Sequence, residues 1–334
     1  MKATRIHQHG GIEQLKLEEV SQPQPKPNEV LVKVKAISLN HLDLWVRQGV
    51  AGHAYPLPII PGCDIAGIVE STGQSTLVSP GVSCRTCKLC LTGQEQLCRY
   101  YGVLGETQDG GCAEYLAVPT ENLLPFPEGY SFEEAACLPL VFLTAWHMLV
   151  SRAHLQAGED VLIHAGGSGV SSAAIQIAKH FQARVITTVG SPDKAEKAKQ
   201  LGADHIILYH DQDFLPEVKK FTGKRGVDIV MDHIGLETWE RSVKSLAKGG
   251  RLITCGVTSG HTVSTDLRYL FFKGLSYLGS TMGNKAELLE VLKLVQAKKL
   301  HPVMDRIFPW SRLGEAHLYL ESRRHFGKVA VTIS

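Results

Sequence analysis

The sequence has no apolar stretch that reads as a membrane span, and its start, Met1-Lys2-Ala3-Thr4, runs into mixed polar residues instead of an apolar leader. A cytoplasmic protein is the simplest expectation. Charge of one sign is lacking too: the 334 residues carry a formal net charge of +2, with Lys and Arg scattered among Asp and Glu. That balance leaves no electrostatic footprint for nucleic acid or an anionic membrane. Internal repeats and low-complexity tracts are absent. The eight cysteines do not form a secreted disulfide framework, because four sit in one tight cluster and four are scattered singly.

What is present suits a globular chain of two domains, with 44% hydrophobic and 20% charged residues. The turn-rich stretch Gln22-Pro23-Gln24-Pro25-Lys26-Pro27-Asn28 precedes an alternating, half-buried strand from Glu29. Further strands are expected at 61–72 and at 112–118, the latter launched from Asp109-Gly110-Gly111. Ser131 and Glu134 form a capping-box spacing ahead of an apolar helix through about residue 150.

From there strands and helices alternate. Strands are predicted at 160–165, 184–189, 205–209, 227–234, 250–256 and 275–281, with helices at 170–182, 192–201, 212–222 and 236–247. This alternation implies right-handed crossovers and a parallel sheet. The tail reads as a helix at 285–298 and a closing strand from Gly327, placed to rejoin the N-terminal domain.

The buried strand Asp160–Ala165 leads at once into Gly166-Gly167-Ser168-Gly169-Val170 and a helix of small residues. Such a turn lets backbone approach a pyrophosphate, which the unpaired N–H groups of a helix N-terminus attract. A Gly-rich turn alone is weak; the βαβαβ context makes it a dinucleotide site. The second strand ends Val189-Gly190-Ser191, with Lys194 nearby and no carboxylate at its tip. NAD sites usually place an acid there, so the expectation is NADP(H), with Ser191 and Lys194 donating to a 2′-phosphate. The alternative is that Lys194 only solvates a helix face.

Cys84, Cys87, Cys90 and Cys98 carry the sharpest local signal. Four thiolates at that spacing close a tetrahedral zinc shell with no open position, so one structural Zn²⁺ is expected in a lobe at about 84–98. Reactive dithiols or an iron–sulfur centre are the alternatives.

These parts together resemble the zinc-binding medium-chain dehydrogenase/reductase family, whose branches include alcohol dehydrogenases and quinone oxidoreductases. The resemblance spans nearly the whole chain. It rests on Asn40-His41-x-Asp43, Pro61-Gly62-x-Asp64-x-Ala66-Gly67, the four cysteines, Asp109-Gly-Gly-x-Ala-Glu-Tyr115, Leu143-Thr144-Ala145-Trp146, the glycine loop and Gly202-Ala203-Asp204. It implies an α/β chain: a Rossmann, doubly wound parallel-sheet domain at 129–279, plus a discontinuous, β-rich, barrel-like catalytic domain at 1–128 and 280–334. It also implies a homodimer or homotetramer. By resemblance, Asn40 is the candidate hydrogen-bond donor to substrate, and Thr144, Cys255-Gly256 and Ser280-Thr281 line the nicotinamide. Tyr209 is placed near the adenosine.

The zinc alcohol dehydrogenase branch carries a second, catalytic zinc. Its pattern would put Cys at Asn40, His at Cys63 and Cys near Leu140, with Asp64 as the neighbouring carboxylate; its proton relay falls on Leu42 and Trp45. That set is missing here, so no metal is expected at Asn40, Cys63, Asp64 and Leu140. Ser168 and Ser171 replace usual glycines of the family. The segment from Gly73 to Cys84 is also short, implying a lost barrel strand or a break in the chain.

Without a Lewis acid, the easier task is hydride transfer from NADPH to a polarised acceptor, a quinone or an α,β-unsaturated carbonyl. A zinc-dependent alcohol dehydrogenase and a cofactor-binding protein with little catalysis are the competing readings.

Overall fold

The computed structural model describes residues 1–333. The chain forms two compact units, Met1–Leu143 with Asn284–Ser334, and Thr144–Gly283. The two units divide after Leu143 and Gly283, later in the chain than the expected boundaries at residues 128 and 279. The physical reason is local. The helix Phe132–Ala136 packs on the strands Glu29–Leu39 and Asp64–Val69, so the first half of the apolar helical run belongs to the first unit.

The second unit is built on six parallel strands. In spatial order they are His205–Leu208, Arg184–Val189, Asp160–Ile163, Val227–Met231, Leu246–Thr254 and Ser276–Gly279. The order reverses beside Asp160–Ile163, the switch point at which doubly wound sheets bind ligands. Val161, Leu162 and Ile163 are fully buried, as expected for a strand covered on both faces. The crossover helices are Gly169–His180, Pro192–Gln200, Phe214–Phe221 and Trp239–Ser245.

Two features depart from the periodicity. Leu246 and Ala247 start a strand where the fourth helix was expected to continue. The helix Leu267–Lys273 was not anticipated, although Asp266 caps its start through Arg268 N and Gly274 ends it at φ +60°. Its outer face carries exposed Leu267, Phe271 and Phe272, so no apolar/polar stripe marks it.

The first unit holds a seven-stranded mixed sheet in the order Met304–Pro309, Lys328–Thr332, Glu29–Leu39, Asp64–Val69, Ser75–Val78 and Leu123–Pro125, with Tyr115–Pro119 also paired to Glu29–Leu39. Its core joins Val32, Ile37 and Leu39 to Ile65, Val78, Val329 and Val331. Ser75–Val78 pairs on both edges, so the short segment after Gly73 does not cost the sheet a strand. The polar run Gly73-Gln74-Ser75-Thr76 had hidden it.

One expectation about membranes needs correction. Phe132–Arg152 is a helical run of 21 residues with mean hydropathy 1.4, long and apolar enough to cross a bilayer, and 72% of its most apolar window is buried in the protein. Burial of that kind marks a core helix.

Candidate active site and metal centre

The chemistry of the cysteine lobe is closed. Cys84 Sγ lies 3.9 Å from Cys90 and 3.5 Å from Cys98, and Cys87 lies 3.6 Å from Cys90. All four sulfurs fall within 4.8 Å of one another. A tetrahedron with metal–sulfur bonds of about 2.3 Å has edges of about 3.8 Å. The cage therefore fits Zn²⁺ and leaves no ligand position for substrate. Backbone N–H groups of Thr86 and Cys87 draw the Cys84 thiol down to about 6, which favours the thiolate that a metal needs.

In the second unit the glycine loop turns between the strand Asp160–Ile163 and the helix Gly169–His180. A Cβ on Gly166 would sit 2.4 Å from Thr187 Oγ1, which is itself held by Ile163 O at 2.8 Å. Only glycine fits. Ser168 caps the helix by accepting from Ser171 N at 3.1 Å, and Ser171 Oγ donates to His164 O at 2.7 Å. The two serines at usual glycine positions thus brace the loop from inside. Among the described residues, no partner takes the N–H groups of Gly169 and Val170, leaving them available to an anion.

Val189, Gly190 and Ser191 end the second strand, and Ser191 caps the helix Pro192–Gln200 through Lys194 N. Tyr209 stands against Gly190: a Cβ there would lie 2.6 Å from its hydroxyl. Cys255 and Gly256 follow the strand Leu246–Thr254, where Thr254 Oγ1 donates to Gly256 O at 2.9 Å. Ser280 and Thr281 follow Ser276–Gly279, and Ser280 Oγ is a buried hydroxyl with no partner among the described residues. Thr144 is buried in the helix Pro139–Trp146, at the start of the second unit. A close-approach glycine, free helix N–H groups and an orphaned hydroxyl, each beyond the end of a strand of the one parallel sheet, together fit a dinucleotide.

Around Asn40, in the first unit, the geometry departs from expectation. Asn40 Nδ2 donates to Asp64 Oδ2 at 2.8 Å and to Cys63 Sγ at 3.4 Å. Its Oδ1 accepts from Lys328 Nζ. The amide orientation is fixed by charge, since flipping it would set oxygen against carboxylate and NH₂ against ammonium. Asn40 is 6% exposed and has both ends engaged, so it is not a free donor to substrate, a correction to its expected role. Asp64 Oδ1 takes Leu140 N at 2.8 Å, while Oδ2 also accepts Ser38 Oγ at 3.1 Å and Lys328 Nζ at 3.0 Å.

Asp43 closes the capping box on the helix His41–Gln48, accepting from Asn40 N at 2.7 Å and from Gly62 N at 3.0 Å. Burial pushes its carboxyl up to about 6. Burial, reinforced by the Asp64 and Asp43 carboxylates, likewise pushes the Cys63 thiol well above its usual range. Lys328 was missed from the sequence. Its only signal was a lysine in an otherwise apolar closing strand.

Residues 26–128 match the profile described as an alcohol dehydrogenase GroES-like domain, and residues 169–297 the one described as a zinc-binding dehydrogenase. A zinc-type alcohol dehydrogenase-like protein of Schizosaccharomyces pombe is 34% identical over 334 residues, covering 97% of this chain and 96% of that one. The chain belongs to the medium-chain dehydrogenase/reductase family. Human quinone oxidoreductase is 29% identical over 325 residues, covering 95% and 93% of the two chains. The crystal structure of an NAD-dependent alcohol dehydrogenase superposes with TM-score 0.96 at 44% identity, covering 100% of each chain.

As a medium-chain dehydrogenase/reductase, this protein is an NAD(P)-dependent oxidoreductase of the zinc-type alcohol dehydrogenase and quinone oxidoreductase kind. The catalytic zinc known from one branch of that family does not fit here. Asn40, Cys63 and Leu140 offer one neutral amide, one protonation-prone thiol and no side-chain ligand, and the Asp64 carboxylate already holds an ammonium.

Proposed function

We propose that this enzyme transfers hydride from NADPH to a small polarised acceptor, a quinone or an α,β-unsaturated carbonyl. The observation that carries the reading is the Asn40–Asp64–Lys328 network, which fills the place of a catalytic metal shell. Oxidising a plain alcohol demands removal of its proton, a task suited to a Lewis acid. Reducing a conjugated carbonyl does not, because the carbonyl itself absorbs charge and solvent delivers the proton.

The bound nicotinamide would supply the hydride. Gly166, Gly167, Ser168, Gly169 and Val170 would hold the pyrophosphate on the helix N-terminus, and Tyr209 would cover the adenosine end beside Gly190. Gly190, Ser191 and Lys194 would receive the 2′-phosphate, with no carboxylate there to repel it. Thr144, Cys255, Gly256, Ser280 and Thr281 would orient the nicotinamide. Asn40 acts as a positioning residue, holding Asp64 and Cys63. One zinc on Cys84, Cys87, Cys90 and Cys98 would hold the lobe.

A homodimer or homotetramer, cytoplasmic and without nucleic-acid or membrane partners, completes the proposal; the net charge of +2 supports its last part. Alcohol oxidation with NAD is the second reading, favoured by the likeness, at 44% identity, to an NAD-dependent alcohol dehydrogenase. Steady-state rates with quinones, enones and alcohols, each run with both cofactors, separate the two.

A further inference from the structure

A buried chain of hydrogen bonds joins three neighbouring strand ends of the parallel sheet. His164, just after Asp160–Ile163, places Nε2 2.9 Å from Ser242 Oγ, which donates to Asp232 Oδ2 at 2.6 Å. On the other side of the ring, Nδ1 lies 3.3 Å from Thr188 Oγ1, which accepts the Ala165 N–H at 3.0 Å. His164, Thr188, Asp232 and Ser242 are all buried. Their donors and acceptors can be ordered in one way. Asp232 is a carboxylate whose other oxygen takes Ile234 N, Gly235 N and the Thr238 hydroxyl. Ser242 therefore donates to it and accepts from Nε2–H. Burial pushes the pKa of the imidazole down against the pull of the Asp232 carboxylate, so the ring is neutral. A neutral ring with Nε2–H leaves Nδ1 as acceptor for the Thr188 hydroxyl. Ser242 stands between ring and carboxylate, an order that does not make it a nucleophile.

The chain ends on the glycine loop. Ala165 has φ +50°, a left-handed conformation that is costly for a residue with a Cβ. Thr188 holds it there: its hydroxyl accepts Ala165 N, and its carbonyl accepts Gly166 N at 2.8 Å. The turn that Asp232 anchors also meets the loop, His233 Nε2 lying 3.4 Å from Ser168 Oγ. We infer that His164 is a positioning residue for the dinucleotide. As the Nε2–H tautomer it orients the Thr188 hydroxyl, and that hydroxyl sets the backbone from which the loop rises to the pyrophosphate. The inference rests on the reading of residues 166–170 as the pyrophosphate site. NADH and NADPH share that pyrophosphate, so His164 acts equally on both, whereas Gly190 and Ser191 act on the 2′-phosphate alone.

The test uses the full chain with zinc on its cysteine lobe. Nitrogen NMR of isotopically labelled histidine rings comes first, the His164 signals being those lost in His164→Asn. In wild type the ring should carry its proton on Nε2. Asp232→Asn should move that proton to Nδ1, because the amide oxygen stays with Ile234 N and Gly235 N while the NH₂ turns the Ser242 hydroxyl around. A wild-type ring protonated on Nδ1, or a tautomer that Asp232→Asn does not move, overturns the inference and leaves the loop reading intact. Titration with NADPH and with NADH follows. His164→Leu should bind each about tenfold more weakly, the worth of one buried hydrogen bond. Thr188→Val should lose the same, and the double variant no more. His164→Asn, whose amide oxygen can accept the Thr188 hydroxyl, should recover most of the affinity. Wild-type affinity in His164→Leu, or a loss confined to NADPH, overturns the inference. Gly169→Asp sets a carboxylate at the helix N-terminus and should abolish binding of both; full affinity there overturns the loop reading and the inference with it. Should His164→Leu not fold, Thr188→Val and the wild-type ring spectrum decide.

Discussion

Lys328 Nζ lies 3.0 Å from Asp64 Oδ2, and the two residues are separated by most of the chain and buried together. Removing one partner of a buried ion pair strands the other. Lys328→Met should therefore lower unfolding free energy by about 3–5 kcal/mol, and Lys328→Met/Asp64→Asn should recover most of that loss. Urea denaturation of the three proteins measures both effects. Equal destabilisation by the single and double changes would show that the lysine acts through packing of its stem instead.

The cysteine lobe has almost no apolar core, with Leu91, Leu97 and Tyr100 exposed. Its order should depend on metal. Cys90→Ser should reduce zinc content from one per chain to well below one and open the lobe to proteolysis between Cys84 and Cys98. Cofactor-induced protection of the parallel-sheet unit should survive. Retained stoichiometric zinc would mean that three sulfurs suffice or that the ion sits elsewhere.

His317 is fully buried in the helix Leu313–Glu321, and both ring nitrogens lack hydrogen-bond partners among the described residues. Burial, with help from the Arg47 charge, pushes its pKa down to about 3. The folded value lies below the unfolded one, so between them the unfolded chain binds more protons. The resulting stability is complete above about 6.5 and is lost as pH falls toward 3. At pH 5 the loss amounts to about 2 kcal/mol. His317→Leu should flatten the wild-type fall between pH 7 and pH 5 by that amount. Parallel curves for the two proteins would remove His317 from the acid response.

At the tip of the second strand, Gly190 faces the Tyr209 hydroxyl and no carboxylate is present. NADPH should bind more tightly than NADH by roughly 1–3 kcal/mol, the worth of one or two charge-assisted bonds. Gly190→Asp should reverse that preference. Gly190→Ala is the needed control, because any Cβ must displace the exposed Tyr209 ring. If Ala alone shifts the preference, sterics at Tyr209 and not charge set it.

The parallel sheet was legible because its strands are apolar and its crossovers punctuated by caps and glycines, as at Ser191-Pro192 and Gly202. The zinc cage was legible because its ligands are close in sequence. Ser75–Val78 and Leu267–Lys273 were not, one being polar and short, the other lacking a solvent-facing polar stripe. The Asn40 site was half legible. The family resemblance located Asn40, Cys63 and Asp64, but the engagement of the Asn40 amide depends on Lys328, which only tertiary pairing brings alongside. No local pattern carries that contact.

NADPH-dependent reduction of a polarised acceptor, without a metal on Asp64, is open to one decisive panel of steady-state rates. Quinones, enones and their saturated alcohol counterparts are assayed with NADPH or NADH, and with NADP⁺ or NAD⁺ for the reverse direction. The value of kcat/KM should be highest for a quinone or enone with NADPH, and unchanged by a chelator that leaves the cysteine-bound zinc in place. Alcohol oxidation that outpaces every enone and quinone and is abolished by that chelator would contradict it.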